Sequence, residues 1–232
     1  MHDDSNKTKK RLFTTKLLTN FIPNIMKKSI LLLVVAALIL QSCAKVFYAP
    51  DARSLAQNQR VIAIAPPQVS IAARKNIDGT ALIEQQKTES VNFQREMYSW
   101  MLKRKMQGKM SVDIQDVETT MALLSKAEVT EGKIFTPDDL CRILGVDGIL
   151  TSNYSLSKPM SEGAAIALGV IAGVRGPTNE ATVSLSIHDY STKKMIWNYD
   201  HKLSSSLGTP AKLVDELMRQ ASREMPYFTG NR

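Results

Sequence analysis

The sequence predicts an α+β protein, an α/β sandwich in which helices pack on a mixed sheet of about five strands in the order βαβααβ, β-hairpin, α. Three observations support this class. Residues 60–67 contain a short apolar run, VIAIAPP, and residues 90–105 carry an apolar stripe at helical spacing. Two later segments alternate apolar and polar residues, as half-buried antiparallel strands do. The chain has 232 residues, 44% of them hydrophobic, which suits one globular domain over residues 60–232.

The first strand and helix follow directly from these patterns. The strand in residues 60–67 is closed by two prolines, which cannot continue a central strand. The helix in residues 90–105 directs one face toward the sheet, through Phe93, Met97, Trp100 and Met101. Residues 112–114 predict a brief second strand.

Two capped helices come next. Asp116 is placed to cap a helix over residues 117–126. Thr136 and Pro137 suit the cap and first position of a second helix, which leads into a strand at residues 149–156.

The last third of the chain predicts a β-hairpin and a closing helix. Residues 182–189 and 195–203 alternate strictly, and the segment between them is short enough for a hairpin turn. The expected inward residues of the two strands are Val183, Leu185 and Ile187, then Met195, Trp197, Tyr199 and Leu203. Thr209 and Pro210 begin the closing helix, whose inward stripe is Leu213, Leu217, Ala221 and Met225.

The positive charge is concentrated in an N-terminal leader. The formal net charge is +8, but residues 1–43 hold seven Lys or Arg and two acids, which leaves +3 for the remainder. This balance argues against a nucleic-acid partner, which needs a clustered basic surface. The apolar run in residues 30–40 follows two lysines and is too short to span a bilayer, so residues 1–42 are predicted to be a cleaved signal peptide.

The end of this leader resembles the lipobox of bacterial lipoproteins. The cleavage-site residues are Leu40, Gln41 and Ser42, followed by Cys43; Gln41 departs from the small or apolar residue usual at its position. The resemblance implies that the Cys43 thiol carries diacylglycerol, that cleavage frees its amine, and that a further acyl chain follows. The alternative is a plain signal peptide with an incidental cysteine.

The resemblance also implies a location. Ala44 is not the aspartate of the inner-membrane retention signal, which favours an outer-membrane lipoprotein that faces the periplasm. Residues 43–59 lack a sustained period and are predicted to be the lipidated cysteine and a flexible tether. Such a coil would span roughly 20–25 Å and hold the domain clear of the headgroups.

No motif for catalysis, a cofactor or a metal is found. Cys141 is predicted to be a small core residue, and His188 and His201 are expected to be a chance pair on two strands rather than metal ligands. The basic run in residues 101–106 is interpreted as a solvated helix face flanked by core methionines.

An uncharged segment over residues 164–174 (AAIALGVIAGV) stands between two predicted strands. Three interpretations are open: packing on the sheet, a surface for self-association or a partner, and membrane contact. The candidate interface residues are Ile166, Gly169, Ile171 and Gly173.

Residues 60–228 resemble a superfamily of envelope lipoproteins. The motifs are LGVDGIL (residues 144–150) and the hairpin DYSTKKMIW (residues 189–197), where Lys193 replaces a frequent glycine. The superfamily includes the curli-secretion pore lipoprotein, activators of penicillin-binding proteins and small uncharacterised outer-membrane lipoproteins. It implies a non-enzymatic, membrane-tethered domain that binds an envelope protein partner or self-associates, without a small-molecule substrate.

Two other functions stay open. One is a subunit of an oligomeric secretion channel, which would assemble through residues 164–174. The other is an envelope hydrolase whose site is assembled from distant residues; its polar candidates, Asp147, Asn153 and His188, are scattered along the sequence.

Overall fold

A mixed sheet is the frame of the domain in the computed structural model, which describes residues 44–72, 78–129, 135–157, 179–205 and 209–229. The strands in chain order are β1 (Lys45–Tyr48), β2 (Val61–Ile64), β3 (Gln68–Ile71), β4 (Asp113–Ile114), β5 (Gly148–Leu156), β6 (Asn179–Asp189) and β7 (Lys194–Ser205). The helices are α1 (Ala52–Asn58), α2 (Gly79–Met106), α3 (Val117–Lys126), α4 (Pro137–Leu144) and α5 (Pro210–Ala221). The α+β class is confirmed, with seven strands in the described residues rather than about five.

The strand order is β1-β7-β6-β5-β2-β4, and β3 also pairs with β5. The pairs β1–β7, β7–β6 and β6–β5 are antiparallel, whereas β2 and β3 run parallel to β5, and β4 runs parallel to β2. Pro66 and Pro67 separate β2 from β3 on the same side of β5, because a residue without an N–H interrupts the ladder. The strand that the sequence predicts at residues 60–67 is therefore the first half of a broken strand.

The predicted starts of α3 and α4 are confirmed by their caps. Asp116 accepts a hydrogen bond from Thr119 N at 2.7 Å, and α3 has the predicted bounds. Thr136 and Asp139 form a reciprocal capping box at α4. Helix α2 is longer than predicted, because its first eleven residues are mostly polar and carry no sustained apolar stripe to reveal them.

The prediction of a flexible tether in residues 43–59 is wrong for residues 44–59. Strand β1 pairs with β7, and α1 buries Ala52 and Ala56 in the core. Both elements are too short to show a period, and they form because β7 and the core offer them a surface. Residues 44–59 therefore belong to the folded domain.

The sheet has a core on each face. Helices α1, α2 and α5 cover the larger one, where the Phe93 and Tyr154 rings stack at 4.2 Å. Helices α3 and α4 cover the smaller one, over β2 and the start of β5. Within the described residues, no helix is long and apolar enough to cross a membrane.

The inward alternation of β7 differs from the prediction at one residue. A register shift next to Ile187 and His188 buries both Ile196 and Trp197, and Met195 is exposed instead. A β-bulge adds one residue to one strand, so the alternation changes phase at that point.

Candidate functional site

The predicted lipid-attachment and interface residues lie outside the described residues. Cys43 and the cleavage residues Leu40, Gln41 and Ser42 precede Ala44, where the description begins. The candidate interface residues fall in the interval between residues 157 and 179, namely Ile166, Gly169, Ile171 and Gly173. Both sets stay predictions.

Asp189, at the end of β6, is the centre of a buried hydrogen-bond network. Its carboxylate accepts hydrogen bonds from Gln59 Nε2 at 2.7 Å, Ser191 Oγ at 2.7 Å, Thr192 N at 2.8 Å and Thr192 Oγ1 at 2.7 Å. The Tyr227 hydroxyl donates to Gln59 Oε1 from the other side. Burial raises the pKa of the Asp189 carboxyl, but the hydrogen bonds from Gln59, Ser191 and Thr192 outweigh it and hold the pKa below its ordinary value. The carboxylate therefore fixes the β6–β7 turn and is occupied by structural partners.

The LGVDGIL motif is also explained by structure. Gly145 ends α4 at φ +65°, and Asp147 Oδ2 accepts the backbone N–H groups of Arg60 at 2.8 Å and Val61 at 3.1 Å. A Cβ on Gly148 would lie 2.5 Å from Gln59 Oε1. Both sequence motifs thus fasten the start of β2 and the hairpin turn to the start of β5.

The polar candidates for a hydrolase do not form one site. Asp147 precedes β5, while Asn153 is exposed further along this strand, opposite Ser184. His188 is paired with Ile149, which packs under α3 and α4. Burial of His188 lowers its pKa.

The two strand histidines lie on opposite faces of the sheet, as the sequence predicts from their phase. His201 is paired with Val183 on the larger core, and its ring lies 5.8 Å from that of Tyr199. His188 shares the other face with Ile149, so the two imidazoles cannot bind one metal ion. The described residues contain no group of His, Cys, Asp and Glu suited to hold a metal.

Cys141 is a buried core residue, as predicted. It lies on α4 in the smaller core, and burial raises the pKa of its thiol to about 12. A thiol of this kind is protonated at neutral pH and is a poor nucleophile.

A feature suited to binding is an open cleft of about 1110 Å³ between α1, α2, α5 and the C-terminal segment. We call it the basic cleft, because its lining holds five cationic side chains against one carboxylate: Arg53, Arg104, Lys109, Arg219 and Arg223 against Glu224. Most of these cations are exposed, so the cleft is open to a large ligand.

Aromatic side chains form part of the wall of the basic cleft. The Trp100 ring lies between the Arg104 guanidinium, 4.6 Å from its centroid, and the tilted Phe228 ring at 5.7 Å. Trp100 Nε1 donates to Asp215 Oδ1 at 3.2 Å, and Asp215 also accepts from Arg219 at 2.8 Å. The indole is therefore held in one orientation.

Three of the cations in the basic cleft have no carboxylate partner among the described residues. Arg219 is paired with Asp215, and Arg104 rests on Trp100. Arg53, Lys109 and Arg223, in contrast, form no ion pair with any part of the chain that the structure describes. The single carboxylate, Glu224, receives a hydrogen bond from the Tyr48 hydroxyl at 3.1 Å. The cleft thus carries positive charge that an anionic ligand could neutralise.

Sequence reasoning missed the basic cleft. Its cations are spread from Arg53 to Arg223, and only the packing of α1 and α5 beside α2 brings them together. The one local signal is Trp100 and Arg104 at i and i+4 on a single helix face. The basic run beside them is flanked by one core methionine, Met101, and by Met106, which is 82% exposed.

The fold defines an α+β protein with a mixed sheet and an open basic cleft. No protein-family model and no curated protein sequence matches the chain. Among solved structures it is similar to a PelC dodecamer from Paraburkholderia phytofirmans, with 11% identity, a TM-score of 0.38, and coverage of 82% of this chain and 100% of that chain.

Two further structures are similar at the same level. The lipoprotein GNA1162 from Neisseria meningitidis has 11% identity and a TM-score of 0.40, covering 71% of this chain and 96% of that chain. The LpoB C-terminal domain from Salmonella enterica has 9% identity and a TM-score of 0.32, covering 63% and 83%. With TM-scores below 0.5, they say nothing about what this chain binds.

Proposed function

We propose that this chain is a lipoprotein anchored through Cys43 to the outer membrane, where its domain faces the periplasm and acts as a non-enzymatic protein-binding module. The observation that carries the binding role is the basic cleft, in which three cations form no ion pair with the described residues. The anchor is supported by the apolar run that ends in Leu40-Gln41-Ser42-Cys43.

The chemistry of the basic cleft favours an acidic segment of a partner protein. Arginine forks bind carboxylates through two parallel hydrogen bonds, and the exposed edges of Trp100 and Phe228 offer apolar contact beside them. At about 1110 Å³, the cleft is somewhat larger than the range of about 300–1,000 Å³ for small-molecule pockets, and it is open to solvent. An extended peptide fits these dimensions better than a small substrate.

A non-enzymatic role is supported by the state of the polar side chains. The Asp189 carboxylate accepts four hydrogen bonds and the Asp147 carboxylate accepts two, and these bonds hold turns and backbone. Cys141 is buried with a raised pKa. These groups serve the fold and are not available as an acid, base or nucleophile.

The cleft is tested with a labelled glutamate-rich peptide and its glutamine counterpart, using fluorescence anisotropy. The glutamate peptide is expected to bind, and more weakly as salt rises. Reversing Arg53 and Arg223 to Glu should weaken binding about tenfold, since each exposed charge pair contributes about 0.2–1 kcal/mol and reversal adds repulsion. The matched control reverses both Lys193 and Lys194 on the hairpin to Glu, which changes the net charge by the same amount. Equal binding of both peptides, or an equal effect of the control, would contradict the proposal.

The anchor is tested by the mass of the mature protein and by fractionation. Lipidation predicts a chain that begins at Cys43 with the added mass of the acyl chains, and Cys43→Ala is expected to move the protein out of the membrane fraction. A mature mass without lipid would refute the anchor while leaving the binding test valid.

Self-association through Ile166, Gly169, Ile171 and Gly173 is a separate proposal, supported by the uncharged sequence with GxxxG spacing. The mass of the protein extracted in mild detergent tests it, with Gly173→Leu as the paired variant. A large complex that the substitution breaks supports an interface there, and a monomer contradicts it.

A further inference from the structure

Strand β1 lies directly beside the predicted lipid anchor. Ala44 is half-buried and packs against the larger core, and β1 begins at the next residue. Consecutive Cα atoms are about 3.8 Å apart, so Cys43 is held within that distance of a packed residue. A single peptide link therefore separates the predicted anchor residue from the packed residue Ala44.

The residues that follow are exposed and mostly apolar. Val46 is 37% exposed and Phe47 is 47% exposed, and Lys45 is exposed next to them. In the described part of the chain, β1 pairs only with β7, so its outer side is an open edge of the sheet. Exposed apolar residues on an edge strand are unusual in a soluble domain, because such an edge invites association.

We infer that the outer edge of β1 lies against the membrane surface, with Phe47 in the boundary between headgroups and acyl chains. This inference rests on the proposed lipidation of Cys43. Phe47 follows Cys43 by four residues and is therefore at most about 14 Å from it. Apolar faces of membrane-bound segments typically enter this boundary to a depth of about 5–10 Å. The Phe47 side chain can reach this depth if β1 lies parallel to the membrane surface.

The composition of β1 fits a lipid surface. Phe47 supplies apolar contact, and Lys45 lies on the same face of β1 and adds a positive charge that lipid phosphates attract, whereas Val46 is on the opposite face. At the other end of the strand, the Tyr48 hydroxyl donates to the backbone carbonyl of Glu224, which fastens β1 to the domain. Because β1 is fastened to the rest of the domain, a membrane contact at β1 would orient the whole domain.

The experiment uses the full mature protein in phosphatidylethanolamine–phosphatidylglycerol vesicles, with and without brominated acyl chains that quench tryptophan. The variant is Phe47→Trp. The control is Ile83→Trp, which is equally exposed but lies on α2, a helix that packs on β3 at the opposite side of the sheet from β1. The signals of Trp100 and Trp197 are subtracted by measuring the parent protein. Mass spectrometry first establishes whether Cys43 carries lipid.

The inference predicts that the added emission of Phe47→Trp shifts to shorter wavelength and loses a large part of its intensity in brominated vesicles. Ile83→Trp should show neither change. If Cys43 carries lipid but both tryptophan variants are quenched weakly and to the same extent, the membrane contact of β1 is refuted and the anchor is not. A blue shift without quenching that grows with protein concentration would overturn it in favour of edge pairing between two copies. A mass without acyl chains would overturn the anchor and this inference together.

Discussion

Replacing Asp189 with Ala should destabilise the domain by about 3 kcal/mol. The carboxylate accepts four hydrogen bonds, three of them from Ser191 and Thr192. Because Ser191 is exposed and Thr192 is half-buried, water can accept these hydrogen bonds in the variant. Gln59 is 5% exposed and loses its charged partner without replacement. A hydrogen bond to a charged group contributes about 1.5–3 kcal/mol, and freeing the turn adds a smaller cost. Because each kcal/mol lowers Tm by about 2–4 °C in a domain of this size, we expect a decrease of roughly 6–12 °C.

Thermal and urea unfolding, followed by circular dichroism, measure this change. Asp200→Ala is the control, because Asp200 is an exposed aspartate on the adjacent strand and should change stability by less than about 0.5 kcal/mol. The folded-state pKa of Asp189 is lowered, so its contribution is complete above the unfolded pKa of about 3.9 and is lost as pH falls through the folded value. The difference between parent and variant should therefore be constant near neutral pH and shrink in acid. If Asp189→Ala unfolds no earlier than the control, the buried network does not stabilise the fold as argued.

Three further predictions concern single residues. Gly148→Ala should cost about 1–3 kcal/mol, because its Cβ would displace the Gln59 amide, and unfolding of the double variant with Asp189→Ala should show less than the sum of the two effects. Thr136→Ala should lower the unfolding free energy by about 1 kcal/mol through loss of the α4 cap; an unchanged urea midpoint would contradict this. Cys141 should resist thiol reagents at neutral pH and react on addition of denaturant, whereas rapid labelling of the native protein would show that it is accessible.

The sequence predicted the elements whose signals are local. Capping residues such as Asp116 and Thr136 act within one helical turn, and the alternation in β6 reports directly which face is buried. These patterns located most of the helices and the hairpin. They also carried enough information to name the α+β class.

The elements that were missed depend on distant partners. Strand β1 has four residues and α1 has seven, too few to establish a period, and both are ordered by β7 and the larger core. The basic cleft was missed for the same reason, since Arg53 and Arg223 meet only after the two ends of the domain have packed together. The spacing of apolar residues predicts each helix or strand separately and does not predict which of them pack together.

The pairing of β1 with β7 has a consequence for the order in which the protein matures. The Tyr48 hydroxyl bonds the carbonyl of a residue 176 positions later, so the first strand is completed by the last part of the chain. A chain that is made and exported from its N-terminus presents β1 long before β7 and α5 exist to receive it. On the proposed route, Cys43 would be acylated while the strand beside it is still unpaired. Pairing of β1 with β7 would then convert a flexibly tethered chain into a domain with a fixed orientation on the membrane. This step would have to wait until β7 and α5 have been exported.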